Sequence, residues 1–372
     1  MQFSLPRRSL IASCVLAATL ASAARADTIT LADGKTFDNV TILTETLKEV
    51  SFKQDGKNKT VPSETVASIQ YKKKPKLVDQ ADSSANEGDI NGALTVLEIY
   101  VGGLIDGSGK ESMAWAPAYA MQRLVELNGS IGDAEGVIEA ANRLIANAKD
   151  SRYLPGAYLS KASALYDGKQ VPEALAAIAE LRKLIETQNL SQRWKLEVDL
   201  AEALADSSLS ASTRRARVME IAGLAGKDFP TGASRARVAE GESYIEGENK
   251  DFAKAIAIFR ALTADPTADA PTLAGAYTGL GDCLFSAAID LQKANQNSTA
   301  AFTETVDTYM RVVVLYPEQV RYRAKSMYLA ARAFEFLGDE TSKTRARGLY
   351  RSVIREYKES TWAGEARKQM GI

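Results

Sequence analysis

The chain carries no histidine among its 372 residues, which removes Ser-His-Asp and Cys-His catalysis, histidine zinc ligation and axial haem ligation by histidine. Two cysteines are present, Cys14 and Cys283. Carboxylate-pair chemistry survives, since it needs only two Asp or Glu facing each other across a cleft. The chain has 47 acidic residues, and no pair stands apart by spacing. One glycine-rich stretch, Gly102-Gly103-Leu104-Ile105-Asp106-Gly107-Ser108-Gly109-Lys110-Glu111, departs from a phosphate loop at two places. Leu104 stands where the loop needs its first glycine, and Glu111 where a hydroxyl would hold magnesium. It reads as a connection between helices, and no cofactor or metal is expected.

Binding chemistry is better represented. Basic residues recur two apart near expected helix starts: Arg215 and Arg217, Arg235 and Arg237, Arg321 and Arg323, Arg345 and Arg347. Residues two apart on a helix point about 200° from each other, so each pair can send one member into a common groove. Arg215, Arg235, Arg321, Arg323 and Arg345 are the candidates, suited to acidic side chains or a C-terminal carboxylate. Tyr316 and Tyr328 could add aromatic contacts to a peptide. Solvated faces for the arginines and core positions for the tyrosines remain open alternatives.

The elements that would carry these residues repeat. Ala93, Ala134, Ala174, Arg215 and Ala255 follow turn signals at separations of 41, 40, 41 and 40. Periods in that range indicate a solenoid, in which helical pairs bury their apolar faces on their neighbours and offer a long surface along one open side. The pairs are expected at 77-108, 113-150, 153-188, 191-228, 231-266, 271-317 and 320-357, with a closing helix at 361-370. Cys283 lies in an apolar helical pattern and reads as a small buried hydrophobe.

In the third pair, Pro155-Gly156-Ala157-Tyr158, Ala162, Ala164, Tyr166, Gly168, Ala174, Leu175 and Ile178 alternate small residues at crossings with larger ones that fill gaps. This pattern resembles tetratricopeptide-repeat (TPR) proteins, with a period longer than their usual 34. The last two pairs, from Ala300-Ala301-Phe302 through Tyr316-Pro317 to Trp362-Ala363, resemble exported envelope proteins of Gram-negative bacteria. Those families include the Tol-Pal-associated coordinator and the tetratricopeptide lipoprotein of the outer-membrane assembly machine. The second Tyr-Pro of that pattern is here Tyr357-Lys358. The resemblance implies a TPR-like α-α superhelix that binds protein or peptide partners.

Residues 1-26 have the parts of a secretory signal peptide: Arg7-Arg8, an apolar run from Leu10 to Leu20, and the small-residue sites Ala21-Ser22-Ala23 and Ala24-Arg25-Ala26. Arg7-Arg8-Ser9-Leu10-Ile11 resembles a twin-arginine motif, with Pro6 where Ser or Thr is preferred, and the export route stays open. The apolar run falls short of the roughly 20 residues that span a bilayer. Three basic and no acidic residues precede Asp27, leaving 43 basic against 47 acidic beyond it. No footprint for nucleic acid follows.

From 27 to 71 the period changes to two, with Asp33-Gly34 and Asp55-Gly56 as hairpin signals. About five short strands are expected, and the tail from Val61 to Ile69 resembles the end of a small SH3-like or Sm-like barrel. Residues 72-76, Lys-Lys-Lys-Pro-Lys, read as a basic linker, and 77-372 as the repeat domain. The combined expectation is a mainly α, exported, periplasmic, non-catalytic scaffold in cell-envelope organisation. A self-associating structural protein and a carboxylate-dependent glycan-processing enzyme are the alternatives.

Overall fold

Alternating apolar residues fold the first part of the chain into a small antiparallel sheet. The strands of the computed structural model, which describes residues 27–109, 113–226, 229–246, 250–358 and 360–372, are β1 (Asp27–Leu31), β2 (Thr36–Glu45), β3 (Glu49–Gln54), β4 (Lys57–Pro62) and β5 (Val66–Gln70). They lie in the order β4-β3-β2-β1-β5, and a 3-10 turn at Ser63–Thr65 leads into β5. Asp55 and Gly56 both take positive φ, 51° and 75°, as the two-residue turn between β3 and β4 requires. Ile29, Val40, Val50 and Phe52 are buried on one face, in keeping with the period of two. The signal peptide expected at residues 1-26 lies outside the described residues.

Fifteen α-helices follow among the described residues. They are α1 (Lys76–Asn86), α2 (Ile90–Ile105), α3 (Ala116–Ile131), α4 (Ala134–Asn147), α5 (Leu154–Asp167), α6 (Val171–Gln188), α7 (Gln192–Ala205) and α8 (Ala211–Ala225). Then come α9 (Pro230–Ile245), α10 (Phe252–Thr263), α11 (Ala270–Lys293), α12 (Thr299–Leu315), α13 (Val320–Leu337), α14 (Glu340–Glu356) and α15 (Thr361–Met370). Each expected pair holds two of these helices to within one residue at its start. The Gly-Asp steps explain the sharp boundaries. Gly132 and Gly338 end helices at positive φ, and Asp133 and Asp339 then cap the next by accepting from the N–H groups of Gly136 and Ser342 at 2.9 and 3.0 Å. The recurring small residue falls in the first turns of α2, α4, α6 and α10, where Ala93, Ala174 and Ala255 are fully buried.

Every helix packs on its chain neighbour, and the odd-numbered helices also pack on one another. Contacts run α3 to α5, α5 to α7, α7 to α9, α9 to α11 and α11 to α13, and α13 returns to α3. Six helices therefore close an inner ring, with the even-numbered ones outside. The open-sided stack expected from the repeat is modified here, because the helices curl far enough for the last pair to meet the second. Glycines permit the tight crossings of α11 with its outer neighbours α10 and α12: a Cβ on Gly279 would lie 2.2 Å from Phe259 Cζ, and one on Gly281 would lie 2.5 Å from Tyr309 Cε1.

The sheet is docked on the helices. Tyr71 stacks on Trp115 with ring centroids 3.5 Å apart, and Tyr119 meets both rings edge-on. Below them Glu45 accepts from Arg152 Nε at 3.0 Å and from the Tyr71 hydroxyl at 2.5 Å. The Glu45 and Arg152 side chains are 5% and 9% exposed, so the pair is desolvated. Burial pushes the Glu45 carboxyl above its ordinary range, with Tyr71 and Arg152 pulling the other way. Arg193 adds a bond to the Glu64 carbonyl. The linker is partly held: Lys74 bonds Asp82 at 2.6 Å, and Lys76 already begins α1. Cys283 is buried, and burial pushes its thiol up to about 12, which keeps it protonated and unreactive. Among the described residues no helix is long and apolar enough to cross a membrane.

Candidate functional site

The inner ring leaves space at its centre. A cavity of about 640 Å³ opens between α3, α5, α9, α11 and α13 with α4 and α15 at its margin, and a second of about 220 Å³ lies between α5, α7, α9 and the starts of α11 and α13, with Ile178 of α6 at its edge. Ser163, Glu242, Arg321 and Tyr322 line both, so these four residues mark where the two spaces meet. The larger volume falls within the range of sites that hold a small molecule or a short chain segment.

Each polar residue reaches the centre because of its place on an inner helix. Asp167 is the last residue of α5, delivered to the cavity just before Gly168 lets the chain turn away. Arg321 and Tyr322 stand in the first turn of α13, whose approach is fixed by its return to α3: a Cβ on Gly132 would touch Val320 Cγ1 and Tyr357 Cδ1, each at 3.6 Å. Glu242 lies on α9, one residue after Gly241, where the absence of a Cβ leaves room for the Phe259 ring. Lys325, one turn beyond Arg321, donates to Asp282 on α11 at 2.6 Å, and the Tyr309 hydroxyl donates to the same carboxylate at 2.7 Å.

The charges fall into two groups. Asp282 is committed to Lys325 and Tyr309, Glu197 bonds Arg235, Glu126 bonds Arg123 at 2.6 Å, and Asp133 caps α4. Asp167, Glu242 and Arg321 are less constrained. Arg321 Nε stands 3.9 Å from Asp167 Oδ1, an ion pair without a hydrogen bond. Glu242 makes no hydrogen bond and no ion pair with any described residue, although the charges of Arg321 and Lys325 act on it.

Burial raises the Glu242 carboxyl above the usual range, and those two cations only partly oppose it. Burial likewise raises Asp167 against the pull of Arg321. The Tyr322 hydroxyl is pushed up to about 12 by burial and by the Glu242 carboxylate. Arg321 keeps 55% of its side-chain surface accessible, yet it sits inside the ring with protein around it, where fields are screened less than at an outer surface. The walls between these polar groups are apolar, with Val125, Val137, Ala164 and Trp362 on one side and Leu200 and Val238 on the other.

Of the seven residues singled out by type and spacing, the structure brings Arg235 and Arg321 to the interior. Arg215 instead joins α8 to α9, donating to Ser243 Oγ at 3.1 Å and to the Ser243 carbonyl at 3.0 Å while lying 3.7 Å over the Tyr244 ring. Arg323 donates to the Val313 carbonyl at 3.1 Å, to Glu356 at 3.1 Å and to the Tyr357 hydroxyl, tying three helical segments together. Arg345 is exposed on α14, an outer helix, with its guanidinium 5.7 Å from the centre of the Phe334 ring. Tyr328 is buried against Tyr350 and Trp362, and Tyr316 at the end of α12 meets Tyr277 at 6.3 Å.

Sequence reasoning missed Asp167, Glu242, Tyr322 and Lys325. Position supplied one usable signal, since Asp167 immediately precedes the Gly168 turn and Arg321-Tyr322 opens a helix. Among the described residues no group of three or more acidic or cysteine side chains is placed to hold a metal ion. No family model and no curated protein matches the chain.

Proposed function

We propose that this protein is an exported recognition scaffold that binds protein or peptide partners in the periplasm or at the envelope, with the interior of its helical ring as the recognition site. The observation that carries this reading is the closed circuit of inner helices around a cavity lined by polar groups that those helices carry. A rigid, prebuilt site lowers the ordering cost of binding, so a few anchors can supply most of the energy. The array is a lengthened TPR-type α-α superhelix in this reading. Pairing of each helix with its chain neighbour, an inner row of odd-numbered helices and buried alanines at the crossings support it. The β4-β3-β2-β1-β5 order with a 3-10 turn before β5 supports an SH3-like barrel serving as a docking module. The leader supports export.

The test is photocrosslinking in the living envelope. A photoreactive residue at Ser160 or Ser163, inside the ring, should capture one recurring partner, and the same residue at Arg345 on the outer face should not. Capture confined to the outer position would overturn the reading. Cleavage before Asp27 in the exported fraction is the accompanying expectation, read by N-terminal sequencing.

A second reading has one observation in its favour. Asp167 and Glu242 are carboxyls pushed toward the neutral form in one cavity, the condition in which a carboxylic acid can serve as a proton donor. Release of reducing ends from envelope glycans, lost in both Asp167→Asn and Glu242→Gln, would support carboxylate catalysis. Equal release by wild type and both variants would exclude it.

A further inference from the structure

We infer that the ring interior is a site for a primary ammonium group on an apolar stem, with Glu242 and Asp167 receiving the ammonium and the aliphatic wall of α3, α4 and α5 receiving the stem. This deepens the reading of the interior as the recognition site and rests on it.

The argument begins with charge. The carboxylates of Glu126, Asp133, Asp282 and Glu197 are each occupied by a partner within the fold. Lys325 and Arg235 are the cations consumed by the last two. What remains facing the cavities is Asp167, Glu242 and Arg321, two carboxylates for one guanidinium. Arg321 stands 3.9 Å from Asp167 without a hydrogen bond to it, and Glu242 has no ion pair with any described residue. The site is therefore short of one positive charge, and at a place partly removed from water an unpaired carboxylate is costly.

The shape narrows the occupant. The joined cavities suit a side chain or a chain end and exclude a folded domain. Val125, Val137 and Ala164 offer methyl and methylene contacts for a stem, while Ser160 and Ser163 supply hydroxyls for an adjoining peptide group. A quaternary ammonium brings no N–H donor, and a guanidinium sets its five in one plane, a fork matched to a single carboxylate; a primary ammonium is compact and spreads its three donors, so it can bridge carboxylates on two different helices. Two peptide sources share this chemistry, the ε-ammonium of lysine and the α-ammonium of a free N-terminus.

Calorimetric titration of the mature chain separates them. The probes are Nα-acetyl-lysine methylamide for the side chain, Ala-Val-amide for the free terminus, Nα-acetyl-norleucine methylamide as the neutral stem, and Nα-acetyl-glutamate methylamide as the anion. At least one ammonium probe should bind at least about tenfold more tightly than the neutral stem. Glu242→Gln, shown folded by its circular-dichroism melt, should remove that advantage, and Asp167→Asn should reduce it. Tighter binding by the anion, or unchanged ammonium affinity in Glu242→Gln, overturns the inference while leaving interior recognition standing. Failure of every probe up to about 10 mM also overturns it, and failure of interior photocrosslinking as well would bring down the recognition reading with it.

Discussion

Arg321 on α13 faces Asp167 on α5 at 3.9 Å across the centre of the ring, although the two belong to the seventh and third helical pairs. The contact exists because α13 has come round to α3, and it joins the closure of the ring to the charge of its cavity. Both side chains keep about half of their surface accessible, at 55% and 45%, so the attraction alone is worth only about 0–1 kcal/mol. Closure must rest mainly on packing, with the ion pair selecting how the ends meet.

Reversal of that charge tests the link. Arg321→Glu would face Asp167 and Glu242 with a third carboxylate. Arg321→Glu should raise the radius of gyration in solution scattering. An unchanged radius would show that the pair has no part in closure.

Glu242 should cost the protein stability at neutral pH. Its folded carboxyl lies above its ordinary range, so folding takes up a proton, and the associated stability is complete below the usual carboxylate pKa and lost as pH rises through the folded value. The groups acting on it are Arg321 and Lys325 on α13, Asp282 on α11, Tyr322 and, on its own helix, Glu246. Glu242→Gln should therefore melt higher than wild type at pH 7 to 8, with the difference shrinking toward pH 4. Asp167 shifts in the same direction, so the difference between proteins is the quantity to compare. A variant less stable than wild type at neutral pH contradicts the assignment.

The repeat made the helices legible because each boundary is written locally. Gly132-Asp133 and Gly338-Asp339 end one helix and cap the next with their own backbone and side chain, and Asp55-Gly56 does the same for a hairpin. Helix identity and order were therefore readable, as was the burial of Cys283. Closure was not, because the angle between successive pairs depends on crossings such as Gly279 against Phe259, and small angular changes add over six pairs. The site followed the same division. Arg321 drew notice as one of a basic pair two residues apart, whereas Glu242 and Asp167 look like the other acidic residues of solvated helices until α13 is brought beside them. Arg215 and Arg323 drew equal notice, yet their guanidinium groups bond carbonyls of neighbouring segments and hold helices together.

Glycine at position 279 should be intolerant of even one methyl. A Cβ there would meet three atoms of the Phe259 ring between 2.2 and 2.6 Å, and Phe259 is fully buried among Val238, Ala255 and Leu262, with little freedom to move. Gly279→Ala should cost about 1–3 kcal/mol through overpacking, despite the better helix propensity of alanine. Denaturant unfolding measures this, with Gly348→Ala, where a Cβ meets open space, as the neutral or stabilising comparison. Similar outcomes for the two would mean that the crossing of α10 and α11 is looser than its geometry implies.

The Glu45–Arg152 pair should govern docking of the β-sheet on the helices. Arg152→Ala would leave the Glu45 carboxylate desolvated with only the Tyr71 hydroxyl beside it, a change that typically costs about 3–5 kcal/mol when one partner of a buried pair is removed. Protonation offers Glu45 an escape, since burial already raises its carboxyl, so the defect should be largest at high pH and ease as pH falls. Replacing both partners by apolar residues, Glu45→Leu with Arg152→Met, should recover much of the loss, because the desolvation penalty goes with the charges. Trp115 fluorescence gives the readout, since its ring stacks on Tyr71 at 3.5 Å only while the sheet is docked. In Arg152→Ala that signal should change before the helices unfold, and proteolysis should gain access between Lys72 and Lys76. A single transition, with no early change at Trp115, would show that sheet and helices unfold as one unit.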